Sequence, residues 1–475
     1  MKKKNQRPPT RSKLPVLRQL CHLIPPHLVA QLARDLGAEK LARTFSHWSH
    51  VVTLLYAQFT HAISLNDVCD SLRLHSGPLS ALRGATPPSK NALSHANKER
   101  DPALAEALFW QMLAHLRGLC PALGARAGRR WAGRFTRTIH IVDSTTIELI
   151  ASCLDWARHR RRKAAAKCHL RLDLQSFLPR FILLDSARHA DGHHARAVCA
   201  GLRAGEIVLF DRAYVDFAHL LELTRRGVFW VTRAKENHQF LVVKKLLKKP
   251  AGKILRDDLV LPKVAATRAL HPERLRRVVA LVEVDGQEVE MTFLTNHLEW
   301  AAASVVALYK CRWQIEVFFK QIKQTLQLAD FLGNSARAVR WQVWTALLVY
   351  VFLRYLAAVR RMPTAGISSP ALDDLNEVLA PLAGTYRNGP CCRGVCRQGK
   401  MGGRVAHPRR DQPLARLSRN QTCRRHARKL ANPLPVRRPG ACFPAWSRRN
   451  RSLSQPTRGD RSRHGPSPWL NRPRL

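Results

Sequence analysis

The stretch Thr138-Ile139-His140-Ile141-Val142-Asp143 is where the chain changes its periodicity. Upstream, apolar residues recur at three- and four-residue spacing, as in Leu104, Leu108, Met112, Leu113 and Leu116, which is the mark of amphipathic helices. From about Arg134 the period becomes two, so Thr138–Val142 reads as a strand that ends at Asp143. Downstream, Ile207-Val208-Leu209-Phe210 is the short, fully apolar run expected of a central buried strand, and it ends at Asp211. Val228-Phe229-Trp230-Val231-Thr232 reads as a further buried strand, with Trp230 packed in the core rather than free to stack on a base. The pattern is that of an α/β core preceded by an all-α region.

Working outward from that core, residues 1–13 form a basic arm and residues 14–128 a helical domain. Within the latter, Ser64-Leu65-Asn66-Asp67-Val68 and Ser89-Lys90-Asn91-Ala92-Leu93 each begin a helix with a polar cap. The Gly/Pro turn between them, Gly84 to Pro88, carries a weak helix-turn-helix signal. The α/β domain covers residues 134–360. It includes a basic loop (Arg158 to Lys167), strand-like stretches His169–Leu174 and Phe181–Leu184, and a helix at His193–Leu202. Residues 240–299 read as a β-rich insertion, because Val278–Val284, Asp285-Gly286 and Val289–Leu294 make a strong hairpin signal. Two long helices follow, from about Ala302 to Leu328 and from about Arg337 to Val359. From residue 381 to 475 periodicity is lost in Arg, Pro, Ser and Gly, which reads as a disordered tail.

The 475 residues carry 80 Lys+Arg against 33 Asp+Glu, a net charge of +47, with an ordinary hydrophobic fraction of 45%. The apolar content excludes whole-chain disorder, and the charge points to a polyanionic partner, most simply nucleic acid. The charge is uneven. Pro381–Leu475 holds 23 Lys+Arg and 2 Asp+Glu (+21), leaving 57 and 31 (+26) for the first 380 residues. No apolar signal-peptide core follows the basic N-terminus. Val343–Leu353 is too short to span a bilayer before Arg354. The 12 cysteines show no CxxC pair, and Cys391, Cys392 and Cys396 lack the second half of a zinc site. The expectation is a cytoplasmic protein with reduced thiols and no membrane partner.

Two features carry chemistry. Asp143 and Asp211 both sit at strand ends, where a carboxylate beside apolar neighbours is costly to hold unless a cation neutralises it. For either residue alone, a turn or helix-cap role is the simpler reading. The second feature is Tyr309-x2-Arg312-x3-Glu316-x6-Lys323. At about 100° per residue these four fall within an arc of roughly 60° on one helix. A solvated salt-bridge row is the bland alternative, yet Trp313, Ile315, Phe318, Phe319 and Ile322 make that helix apolar enough to be substantially buried. The cluster His189-x-Asp191-x-His193-His194 reads as a helix cap on the surface rather than a metal site. Arg158–Lys163 suits either a solvated loop or contact with DNA phosphate.

The ordered set resembles the DDE transposases of bacterial insertion sequences. It consists of strand-Asp143, strand-Asp211, a β insertion and a helix with Tyr309, Arg312, Glu316 and Lys323. The helix signature resembles insertion sequence family four. Asp143-Ser144-Thr145, Asp211-Arg212-Ala213-Tyr214 and Val231-Thr232-Arg233-Ala234-Lys235-Glu236-Asn237 are further local matches, and Ser89 to Arg100 resembles the helical leader domain of one branch. The resemblance covers about residues 15–360. It implies an RNase H-like core in which Asp143, Asp211 and Glu316 are catalytic and hold two Mg²⁺ ions, with Mn²⁺ able to substitute. It also implies that Tyr309, Arg312 and Lys323, with Arg233 and Lys235 beside them, contact DNA phosphates. The partners implied are double-stranded DNA (terminal inverted repeats and target) and a second copy in a dimeric synaptic complex at the bacterial nucleoid. The alternatives are a non-catalytic DNA-binding protein and a degenerate, inactive copy. The tail, whose composition is that of an out-of-frame reading of GC-rich DNA, raises the latter; a genuine basic DNA-binding tail is its alternative.

Overall fold

The computed structural model describes residues 14–38, 45–62, 64–124, 136–149, 151–160, 163–284, 286–325 and 331–359. The basic arm, Cys391 to Cys396 and the Arg/Pro-rich tail lie outside the described residues.

The helical domain is built around His47–Thr60, which is buried along almost its whole length. Ser46 starts that helix by accepting the Ser49 amide (3.0 Å). Ser64 and Ser89 cap Leu65–Leu74 and Lys90–Glu99 in the same way, through the amides of Asp67 and Ala92. An extra helical turn, Ser76–Ser80, separates these two helices, so they are not the two consecutive helices of a helix-turn-helix. Helices Leu14–Leu23, Leu28–Asp35 and Ala103–Leu119 close the domain around its apolar side.

Among the described residues ten strands form one mixed sheet: β1 Ile139–Leu149, β2 Arg158–Arg160, β3 Lys163–Asp173, β4 Leu178–Ser186, β5 Ile207–Phe210, β6 Phe229–Arg233, β7 Phe240–Lys245, β8 Ile254–Pro262, β9 Leu275–Val284 and β10 Gln287–Thr295. The order is β2-β3-β1-β5-β6-β10-β9-β8-β7, with β4 also paired to β3. β1, β3 and β4 run antiparallel as a meander, whereas β1, β5 and β6 are parallel.

Four features differ from the sequence expectation. β1 does not end at Asp143 but continues to Leu149, because β3 remains paired with it from His140 to Leu149 while β5 leaves after Val142. The basic segment from Arg158 is a short hairpin, β2 against β3, rather than a loop. The helix expected over His193–Leu202 is a 3₁₀ turn, Asp191–His194, followed by the short helix Ala195–Cys199. The β insertion is not a separate module: β10 pairs antiparallel with β6, so β7–β10 extend the same sheet. Its hairpin turns at Gly286, whose φ of +81° suits glycine, and Val284 pairs with Gln287. Buried Arg276–Asp257 (2.7 Å) and Arg277–Asp258 (2.6 Å) ion pairs join β9 to β8.

The last described helix, Ala336–Val359, is longer than the apolar run within it and has the length and hydropathy of a membrane span. Yet 61% of its most apolar window is buried inside the fold, which makes it a core helix here. It packs on Ala103–Leu119 and His47–Thr60, so the helical domain and the sheet share one continuous hydrophobic core. Trp341 marks the junction: its ring centroid lies 4.5 Å from that of His50, and its Nε1 donates to the Arg100 carbonyl (3.1 Å). At the other end Tyr350 donates its hydroxyl to the Phe177 carbonyl (3.0 Å). Trp230, fully buried with Nε1 on Thr224 Oγ1 (3.0 Å), is indeed core packing. Replacing Trp341 with Ala removes a large buried ring and its hydrogen bond, and should destabilise the protein by about 3–5 kcal/mol. Denaturant unfolding would check this, and a loss below about 1 kcal/mol would refute the role of Trp341 as the brace.

Candidate active site

Strand register places the first elements of the site. Val142 pairs with Phe210 and Phe210 with Thr232, so Asp143, Asp211 and Arg233 stand abreast on three adjacent strands or just past their ends. Alternation along a strand puts them on the face shared by Ile141, Leu209 and Val231, which packs on the helices. On that face the expected long helix is interrupted. It runs Ala302–Lys310, then Trp313–Lys320, then a π turn at Gln321–Thr325. Between the first two, the amides of Cys311, Arg312, Gln314 and Ile315 bond to carbonyls three residues back, a local 3₁₀ tightening.

That tightened turn carries Arg312 into the carboxylates. Its Nη1 donates to Asp143 Oδ2 at 2.8 Å and its Nη2 to Glu316 Oε1 at 2.8 Å. The Tyr309 hydroxyl donates to Asp211 Oδ1 at 3.3 Å, and the Arg312 guanidinium lies 5.8 Å from the Tyr309 ring centroid. Tyr309 is itself held by the Phe293 ring (5.0 Å between centroids). The structure thus gathers Asp143, Asp211, Glu316, Tyr309 and Arg312, with Arg233 beside them on β6. Tyr309 and Arg312, which the resemblance assigns to DNA phosphates, here bond to the carboxylates. Lys323 does not join them: its Nζ donates to the Thr146 carbonyl on β1 (2.6 Å), because the π turn rotates it off the stripe of a regular helix. Lys235 lies in the loop after β6, where its amide meets His238 Nδ1 (3.3 Å).

The electrostatics follow from burial. Burial pushes the Asp143 carboxyl up to about 6, with Asp211 and Glu316 adding to the rise while Arg312 and the Ser144 amide oppose it. Burial alone would lower the Arg312 guanidinium, but Tyr309 and the three facing carboxylates hold it above its ordinary value. The Tyr309 hydroxyl is raised to about 12, first by burial. Glu316 is the most open of the group, its side chain 48% exposed against 18% for Asp143 and 11% for Arg312.

Among the described residues no three metal-ligating groups stand close enough to hold an ion as they are placed, because Arg312 lies between the carboxylates. The donor chemistry nevertheless fits a hard divalent cation: carboxylate oxygens from three elements converge, and the most buried of them is destabilised in its charged form. The fit requires the guanidinium to give way.

Sequence reasoning missed a second polar group on the opposite face. Asp191 does not cap a helix at the surface. It accepts from Ser144 Oγ (2.6 Å) and Lys167 Nζ (3.0 Å), with its side chain 21% exposed. His169 and Tyr214 join it there. The alternation of Lys167 and His169 on one strand face is a signal that the sequence does contain; nothing local to Asp191 points to it.

The raised Asp143 carboxyl fixes a sign. A group whose value in the fold lies above its ordinary 3.8 stabilises the fold fully below about pH 4, and that contribution is lost as pH rises through about 6. A divalent cation held by these carboxylates would need the charged form, so the gain in melting temperature that it confers should grow between pH 5 and 7 and flatten in Asp143→Asn. Melting curves with and without the cation test this, and a pH-independent gain in the wild type would refute it.

Comparison with known families finds a transposase DDE domain at residues 134–352 and a domain of unknown function (DUF4372) at residues 12–82. "Putative transposase y4zB" of Sinorhizobium fredii is 31% identical over 278 residues, covering 58% of this chain and 73% of that protein. "Probable transposase for insertion sequence element IS5377" of Geobacillus stearothermophilus is 26% identical over 225 residues, covering 47% and 58%. The piggyBac transposase synaptic complex with hairpin DNA overlaps 82% of this chain and 86% of its own at 10% identity. Its TM-score of 0.41 is too low to establish a shared fold.

Proposed function

The chain belongs to the transposases that carry a DDE domain, and we propose that Asp143, Asp211 and Glu316 are the acidic residues at which it performs metal-dependent DNA cleavage and strand transfer. The observation that carries this assignment is the convergence of the three carboxylates, from β1, from the end of β5 and from a helix, on Arg312 and Tyr309. The antiparallel β4-β3-β1 meander followed by parallel β5 and β6 supports reading the core as RNase H-like.

In this reading Asp143, Asp211 and Glu316 would hold two Mg²⁺ ions, for which Mn²⁺ would substitute. When bound, such ions activate the attacking hydroxyl and stabilise the leaving oxygen of a phosphodiester. The residues of the chain do the rest. Asp143 and Asp211, fixed by register, set the spacing of the site. Arg312 neutralises Asp143 and Glu316 in the absence of the metal, and it is free to turn onto a DNA phosphate once they are otherwise compensated. Tyr309 leaves Asp211 for the phosphate by the same exchange. Arg233 and Lys235 contact DNA phosphates beside the site, and Lys323 does so on releasing the Thr146 carbonyl, each contact steepening the salt dependence of binding by about 0.9 in log–log slope.

The Tyr309, Arg312, Glu316 and Lys323 spacing supports placement in insertion sequence family four, with the helical domain as leader. The DNA substrates are then terminal inverted repeats and a target, brought together by a dimer at the nucleoid of a bacterial cytoplasm. A non-catalytic DNA-binding role is disfavoured by the match to a transposase DDE domain and by the transposase relatives.

The deciding experiment is Mg²⁺-dependent nicking of supercoiled DNA that carries the ends flanking the gene. Asp143→Asn and Glu316→Gln should each reduce nicking by about a thousandfold or more while retaining DNA binding in a gel shift. Wild-type nicking by either variant would remove these residues from the site.

A further inference from the structure

We propose that Asp191 is a positioning residue for the acidic site, acting from the opposite face of the sheet through Ser144 and Tyr214. Ser144 follows Asp143 on β1, so its side chain points to the other face. Across the antiparallel register Ser144 pairs with His169 and Thr146 with Lys167, which places both basic side chains on the Ser144 face. Asp191 arrives there from the segment after β4. It accepts from Ser144 Oγ at 2.6 Å and Lys167 Nζ at 3.0 Å, and lies 3.9 Å from His169 Nδ1.

Two chains of contact lead from this carboxylate to the site. Ser144 is held from both sides, its hydroxyl on Asp191 and its amide on Asp143 Oδ1 (2.8 Å). His169 Nδ1 lies 3.1 Å from the Tyr214 hydroxyl, and the Tyr214 amide donates to the Asp211 carbonyl at 3.0 Å. Asp191 therefore holds the backbone at Asp143 through Ser144, while Tyr214, in the same cluster, ties it to the turn at Asp211. Burial pushes its carboxyl up, but the hydrogen bonds from Ser144 and Lys167 outweigh it and the net direction is down, so the hub stays ionised. His169, pushed down to about 4 chiefly by burial, stays neutral and packs between Asp191 and the Tyr214 hydroxyl, with which its Nδ1 shares a hydrogen bond. Among the described residues, the edge of β1 that faces β5 has no strand partner beyond Val142, because β5 ends at Phe210. The backbone that carries the first carboxylate is thus anchored by β3 and by this network. A metal or phosphate site tolerates little displacement of its ligands, which makes such an anchor consequential.

The inference rests on the reading of Asp143, Asp211 and Glu316 as a divalent-cation site, and the test separates the two. Mn²⁺ binding to the full chain is measured by titration calorimetry, alongside melting without metal. Wild type should show Mn²⁺ binding that Asp143→Asn abolishes; without it the cation-site reading fails and this inference with it. Given that binding, Asp191→Ala should weaken it by about tenfold or more. Asp191→Asn, which keeps an acceptor for Ser144 Oγ, should recover most of it. A purely structural role predicts a lower melting temperature with wild-type Mn²⁺ affinity in the folded protein, and that result overturns the inference while leaving the cation site standing. If Asp191→Ala does not fold, Ser144→Ala decides: it removes one hydroxyl, and unchanged Mn²⁺ affinity would likewise overturn the proposal.

Discussion

Carboxylates gathered at one end of a sheet repel one another and resist burial, and the architecture around them is organised to meet that cost. Asp143 shows the pressure directly, its carboxyl pushed up to about 6 by burial and by its acidic neighbours. The Arg312 guanidinium relieves it, bonding Asp143 and Glu316 at the same 2.8 Å, while Tyr309 attends to Asp211. A planar fork with several donors suits this bridging task better than the point charge of a lysine. The local 3₁₀ tightening at Cys311 and Arg312 gains its meaning here, since a regular helix would present the guanidinium differently.

Such a site needs a rigid frame, and the frame comes from two directions. The parallel pairing of β1, β5 and β6 sets the level at which Asp143, Asp211 and Arg233 appear. The helix Ala336–Val359 then binds the sheet to the helical domain, through Trp341 at one end and Tyr350 at the other. The helical domain is therefore no loosely tethered reader of DNA: its apolar centre is continuous with that of the catalytic domain. Extension of the sheet by β7–β10 has the same effect on the other flank, with buried Arg–Asp pairs fastening β8 to β9.

Much of this was legible in the chain itself. The apolar strands that lead to Asp143 and Asp211, the polar helix caps at Ser64 and Ser89 and the β9–β10 hairpin are all local patterns, and each of these elements appears where its pattern predicts. What misled was also local. β1 was expected to stop at Asp143 because polar residues follow, yet an antiparallel partner carries it on to Leu149. Lys323 falls on the helical stripe by arithmetic, but a π turn and the Thr146 carbonyl take it elsewhere. The charge of +47 is shared with a tail that lies outside the described residues, so it argues less for the site than the ordered acidic residues do.

The sequence alone determined the α/β class of fold and the transposase family, because periodicity and short-range spacing are properties of neighbours along the chain. The tertiary structure alone decided what those residues touch. That Arg312 turns inward onto carboxylates 169 and 4 residues away, rather than outward, depends on register between strands and on which charges are buried together. Asp191 reaches Ser144 across 47 residues for the same reason. The electrostatic cost that selects these partners exists only once the sheet has closed around them.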